Sequence, residues 1–174
     1  DESIYSNAVR FSTYQNSDSV PYTCGFDEEG TNGWLLKNGT CTNQWYVANG
    51  QMFISQDNGA TAGYLVSATS VVVAEKLFET GTSDSLTISF DLTIGGESSF
   101  DYLKVYWVDA DTNYTASTST STYYASTYYA TNILVSTHSS YPIINLLSGT
   151  QTLSVTIPNE PDAVKKLIFV WRND

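Results

Sequence analysis

Leu86, Ile88, Phe90 and Leu92 alternate with Thr87, Ser89, Asp91 and Thr93. A period of two gives an extended chain one apolar and one polar face, and predicts a strand. Leu103, Val105 and Trp107 alternate with Lys104 and Tyr106 in the next run, and Gly95-Gly96 between the runs supplies turn chemistry. The two read as adjacent strands joined by a short loop. Leu153, Val155 and Ile157 form another alternating run that Pro158 stops, while 167–171 is apolar at every position, as a central strand is. Shorter strands are expected at 20–25, 34–37, 45–47, 52–55, 64–66 and 71–77. Only 74–80 and 162–166 have a helical alternative, each too short for more than a turn or two. The pattern predicts an all-β sandwich of two antiparallel sheets.

Composition fits that pattern. Thirteen Tyr, four Trp and abundant Ser and Thr favour pleated strands, and 174 residues suffice for one main domain with a sizeable core. Seven Lys and Arg against eighteen Asp and Glu give a formal charge of -11, so nucleic acid and anionic membranes are poor partners. The chain has no apolar run of spanning length and no basic-plus-apolar signal segment, so membrane insertion is not expected and Asp1 reads as a processed or cut start. The few lysines and arginines suit an extracellular setting. Cys24 and Cys41 can close a short disulfide loop, worth about 3 kcal/mol, or stand as two buried thiols. The sequons Asn38-Gly39-Thr40 and Asn113-Tyr114-Thr115 read as incidental.

Candidate chemistry is sparse. The single histidine, His138, sits in a Ser-Thr-His-Ser-Ser stretch with nothing to mark a catalytic triad, and one His with two separated Cys cannot supply a zinc site. A glycosidase carboxylate pair stays open on sequence, but a small sandwich with no acidic cleft-forming insertion argues against it, and no phosphate-binding glycine loop is present, so an enzyme is not expected. Hard oxygen ligands are better supplied. Asp27-Glu28-Glu29-Gly30 crowds three carboxylates that either stand solvated or gather a cation, and Glu97 and Asp101 flank the strand beginning at Tyr102. The 109–113 segment reads as a turn, because Tyr114 and Thr120 replace the glycine and glutamate of a calcium loop. Residues 112–140 are rich in Ser, Thr, Ala and Tyr. Their pairs Tyr123-Tyr124 and Tyr128-Tyr129 either cover the sandwich or form an aromatic platform for sugar rings.

A series of motifs then carries a resemblance. Pro21-Tyr22-Thr23-Cys24-Gly25-Phe26-Asp27, Gly33-Trp34, Asn38-Gly39-Thr40, Asn43-Gln44-Trp45-Tyr46, Ile54-Ser55-Gln56-Asp57-Asn58-Gly59, Ser89-Phe90-Asp91, Gly96 to Leu103 and Phe169 to Asp174 occur in that order. Over 19–174 the chain resembles the choice-of-anchor J, or cleaved-adhesin, modules of Bacteroidota surface and secreted proteins, related to gingipain adhesin domains and loosely to MAM domains. The resemblance implies a jelly-roll β-sandwich with a calcium ion near the opening strand, held by Asp27, Glu29 and Asp101. It implies a non-catalytic adhesion or carbohydrate-binding role at the cell surface or outside the cell, with a glycan or a host or bacterial surface protein as partner. Residues 1–18 resemble the closing strand and linker of a fibronectin type III domain. The family's last strand is expected beyond Asp174. An edge left open there suggests the alternative role of a spacer or assembly subunit, forming a homopolymer by exchange of residues 4–13.

Overall fold

A computed structural model of the chain describes residues 16–27, 29–97, 100–119, 133–136 and 148–174, with backbone alone at 133–136 and 148. Among the described residues, ten strands and no helix make it an all-β protein: β1 Asp18–Ser19, β2 Leu35–Lys37, β3 Gln44–Ala48, β4 Gln51–Ser55, β5 Ser70–Glu79, β6 Ser85–Gly95, β7 Tyr102–Asp109, β8 Ile133–Ser136, β9 Ser148–Pro158 and β10 Val164–Asn173. Of the segments with a helical alternative, 74–79 is strand, and 162–166 is a turn at Asp162 that leads into strand from Val164.

The larger sheet runs β1-β5-β10-β7-β8, and β2 also pairs with β5. β10 is central, antiparallel to β5 from Val164↔Glu79 to Asn173↔Ser70 and to β7 from Lys165↔Asp109 to Arg172↔Tyr102. That is why it is apolar at every position over 167–171. Leu167, Phe169 and Trp171 enter one core with Val72, Ala74, Leu103 and Val105, while Ile168 and Val170 enter a second with Val71, Val73, Tyr106 and Tyr114. The outer edge of β5 is capped in three pieces: by β1 at Phe78 and Glu79, by β2 at Val73 to Glu75, and by Ser117 at Val71. Six of the ten β5 residues thereby have partners on that edge without one long strand.

Two two-stranded ribbons accompany this sheet. β3 and β4 close through Asn49-Gly50, both at positive φ (54° and 74°), as a two-residue hairpin of matching twist requires. β6 and β9 pair over eleven residues from Ser85↔Pro158 to Gly95↔Ser148. Ile88, Phe90 and Leu92 of β6 turn inward, and Phe90 meets Phe169 edge to face at 5.2 Å, so the ribbon packs face to face on the larger sheet through the shared core. The outward face is a hydroxyl ladder, with Thr87 to Thr156 at 2.9 Å, Thr93 to Thr150 at 2.6 Å and Thr152 donating to Asp91 at 2.6 Å.

Three sequence expectations are corrected. β6 and β7 are consecutive but not paired: the connection at Gly96 (φ 143°), packed against Tyr64 and Asp101, passes from the ribbon to the larger sheet. No strand forms at 20–25, where Val20 N still donates to Glu79 O but Pro21 has no N–H to continue the ladder. None forms at 64–66, because the backbone of Leu65 is claimed by a side chain, its N–H donating to Asn43 Oδ1 at 2.7 Å and its C=O accepting from Asn43 Nδ2 at 3.1 Å. Asn43 is fully buried and also donates to Ala68 O and to Asn173 Oδ1, tying β3, the 65–68 loop and the end of β10 into one amide clasp.

Candidate functional site

The segment before β2 bends around an open depression of about 750 Å³, lined by side chains of Asp18, Tyr22, Cys24, Asp27, Glu29 and Lys76 among others. β1 sets its position. Ser17 and Ser19 donate to the two oxygens of Glu79 at 2.9 and 3.2 Å, holding the chain against the end of β5. Tyr22 then packs edge to face on Phe78, with ring centroids 5.1 Å apart.

At the floor lies Lys76, in phase with the inward residues Val72, Ala74 and Phe78. Its side chain is only 3% exposed, and an ammonium there needs compensation. It finds three partners: Asp18 Oδ2 at 2.5 Å, the carbonyl of Asn32 at 2.9 Å and the face of Tyr22 at 5.1 Å. Gly33, at φ 77°, leaves the room, since a side chain there would collide with the ammonium. Burial first, then the Cys24 thiol and the Asp18 charge, push the Tyr22 phenol well above its ordinary range. With Asp18, Asp27 and Glu29 against one lysine, the depression is net negative and suits hydroxyls and cations rather than anions.

Of the expected metal ligands, Asp27 and Glu29 line this depression and Asp101 does not. Asp101 instead accepts from Tyr64 Oη at 2.6 Å and from Glu97 N at 2.8 Å, and among the described residues no three His, Cys, Asp or Glu side chains are grouped to hold a metal ion. The three-carboxylate set is therefore not assembled. Asp27 does have a cradle: its carboxylate folds back over Gly25, and its Oδ1 and the Gly25 carbonyl both border Gly50, where a β-carbon would stand 3.4 and 3.7 Å from them. Two hard oxygens converge there.

Cys24 and Cys41 are both free, so the expected bond between them is not formed here. The Cys41 thiol is buried and points to the carbonyls of Val71 and Ser117, and burial pushes it up. Asn38 of the first sequon is locked against Trp45, accepting from its N–H at 2.8 Å and donating to its C=O at 3.0 Å. Tyr123, Tyr124, Tyr128, Tyr129 and His138 lie outside the described residues, as do 1–15 and Glu28. The described start of the tyrosine-rich segment covers the sheet: Tyr114 is buried and stacks on Tyr106 at 5.0 Å.

Sequence reasoning missed Lys76, Tyr22 and Asp18. Lys76 had a signal, a charge in phase with the apolar face of its own strand. Among the described residues, no helix is long and apolar enough to cross a membrane. Comparison with protein-family models, with curated proteins and with solved structures finds no match.

Proposed function

We propose that the chain is a non-catalytic adhesion or carbohydrate-binding module of a larger bacterial surface or secreted protein, a jelly roll of the cleaved-adhesin kind. The supporting observation is the open depression of residues 16–33, where carboxylates, amides, hydroxyls and the Tyr22 ring surround an internally neutralised lysine. Such a lining offers a polyhydroxylated ligand both donors and acceptors. Glycan-array binding tests the reading. Binding lost in Asp27→Ala and Thr31→Arg assigns it to the depression, whereas loss only when Tyr123, Tyr124, Tyr128 and Tyr129 are changed to Ala assigns it to that segment. No glycan binding at any concentration counts against the proposal.

Calcium is proposed at Asp27, with the Gly25 carbonyl and water beside it and Glu29 on the same rim; Asp101 is not part of this set. Saturating calcium is expected to raise the melting temperature of the wild type and not of Asp27→Ala. An unchanged wild-type melting temperature removes the metal from the account.

A second reading, a spacer or strand-exchanging subunit, is favoured by the division of the second layer. Among the described residues β3–β4 and β6–β9 share no ladder, so no described strand joins the two ribbons. A strict monomer across micromolar concentrations by light scattering refutes exchange.

A further inference from the structure

On the face of the larger sheet opposite the main core, one carboxylate meets two lysines, and one of those lysines meets an asparagine amide. Lys37 ends β2 and Glu75 lies on the facing β5; their Nζ and Oε1 are 2.8 Å apart. The same Lys37 nitrogen contacts Asn113 Oδ1 at 3.0 Å, in the turn after β7, and the Tyr114 carbonyl at 3.2 Å. Lys166 of β10 reaches Glu75 Oε1 at 3.5 Å while donating to Thr112 O at 2.8 Å. Glu75 is 3% exposed, with buried Val73 and Tyr114 among the residues of this face.

An amine, a carboxamide and a buried carboxylate on one nitrogen form the reactant set of an amide-exchange reaction. We infer that Lys37 and Asn113 are precursors of an intramolecular isopeptide bond, with Glu75 as the proton carrier. Glu75 takes a proton from the Lys37 ammonium, and the freed amine attacks Asn113 Cγ. The carboxyl returns the proton to the amide nitrogen, the C–N bond to that nitrogen breaks, and a further proton from the new amide leaves with it as ammonium. Ammonium plus carboxamide become secondary amide plus ammonium ion, with atoms and charge balanced and no oxidant or reductant required.

Electrostatics supply the direction. Two lysines on one glutamate leave the cluster one positive charge in surplus around a carboxylate that is itself buried. Acylating Lys37 carries that charge away and leaves Glu75 and Lys166 as a one-to-one pair. The tie joins positions 76 apart, fastening the cover of the sheet to its edge strand. A thermal gap in the hydrogen bonds would then no longer open this face, a useful property for a module under mechanical load.

The test is the intact mass of the full chain, denatured and with thiols reduced. The expected mass falls short of the sequence by one ammonia, and a tryptic digest contains a branched peptide joining Lys37 to Asn113, uncut after Lys37. Lys37→Arg and Asn113→Ala restore the full mass. Asn113→Asp reaches the same linked mass as the wild type by loss of water, and Glu75→Gln stays unlinked. Full sequence mass in the wild type after prolonged incubation overturns the inference. So does an ammonia deficit that hydroxylamine removes by cleaving the chain, because that marks a succinimide at an Asn-Gly pair such as Asn49-Gly50.

Discussion

Replacing Asn43 with alanine removes the centre of the amide clasp without touching the apolar core. The two hydrogens of its Nδ2 are shared among Leu65 O at 3.1 Å, Ala68 O at 3.0 Å and Asn173 Oδ1 at 2.9 Å, while its Oδ1 accepts from Leu65 N at 2.7 Å. After truncation Ala68 O keeps Asn173 Nδ2 at 2.7 Å, and Leu65 O keeps a long contact of 3.5 Å to the same group. Asn173 Oδ1, in a fully buried residue, loses this partner, and so does the Leu65 N–H. Leu65 is 40% exposed, so water can take up part of its demand. One stranded buried acceptor plus the lost bonds give a destabilisation of about 2 to 4 kcal/mol, a large share of the ~5 to 15 kcal/mol that holds a domain together. Urea unfolding followed by tryptophan fluorescence should show a lower midpoint at unchanged slope. A loss below about 1 kcal/mol refutes the reasoning, since it would mean that the clasp is solvated or redundant. Asn43→Asp separates hydrogen bonding from shape. A carboxylate there faces three oxygens, so its folded pKa rises above the unfolded value. The variant is therefore least stable at neutral pH and recovers as pH falls toward about 4.

Lys104 is buried on β7, and burial followed by the Arg172 charge pushes its amine down to about 8. A base held below its unfolded value of about 10.4 makes the unfolded chain bind more protons in that window. Stability should therefore rise from about pH 8 upward and flatten near pH 10, where Tyr22 and Tyr64, both held protonated in the fold, begin to act in the opposite sense. Urea midpoints across this range should lose the rise in Lys104→Met, and a flat wild-type profile contradicts the assignment. Of the two thiols, Cys24 lines the depression and should react with a disulfide reagent in the native state, whereas buried Cys41 should react only on unfolding. Equal native rates contradict the packing of Cys41 against Val71 and Ser117.

The alternation of Leu86 to Leu92 and the continuous apolar run at 167–171 correctly announced a half-buried strand and a central strand. They could not announce partners. β6 and β7 follow each other through a short connection, and proximity in sequence suggested a hairpin. The structure assigns β6 to β9 and β7 to β10, because β10 needs a strand on each side. Leu65 failed as a strand residue for a related reason, since the group that claims its backbone is a side chain twenty-two residues upstream. The acidic pair Asp27 and Glu29 was legible as a local cluster and does border the depression. Lys76 and Asp18, which form its floor, come from positions far apart in the chain.

Periodicity and composition by themselves determined an all-β protein, the faces its long strands bury and an acidic surface, because those properties depend on neighbours one or two residues away. Tertiary structure alone decided the rest: which strands pair, where Asp101 parts from Asp27, how an open depression forms above a buried lysine, and that Glu75 and Asn113 meet at Lys37. Each of those depends on register between segments dozens of residues apart, which local pattern does not encode.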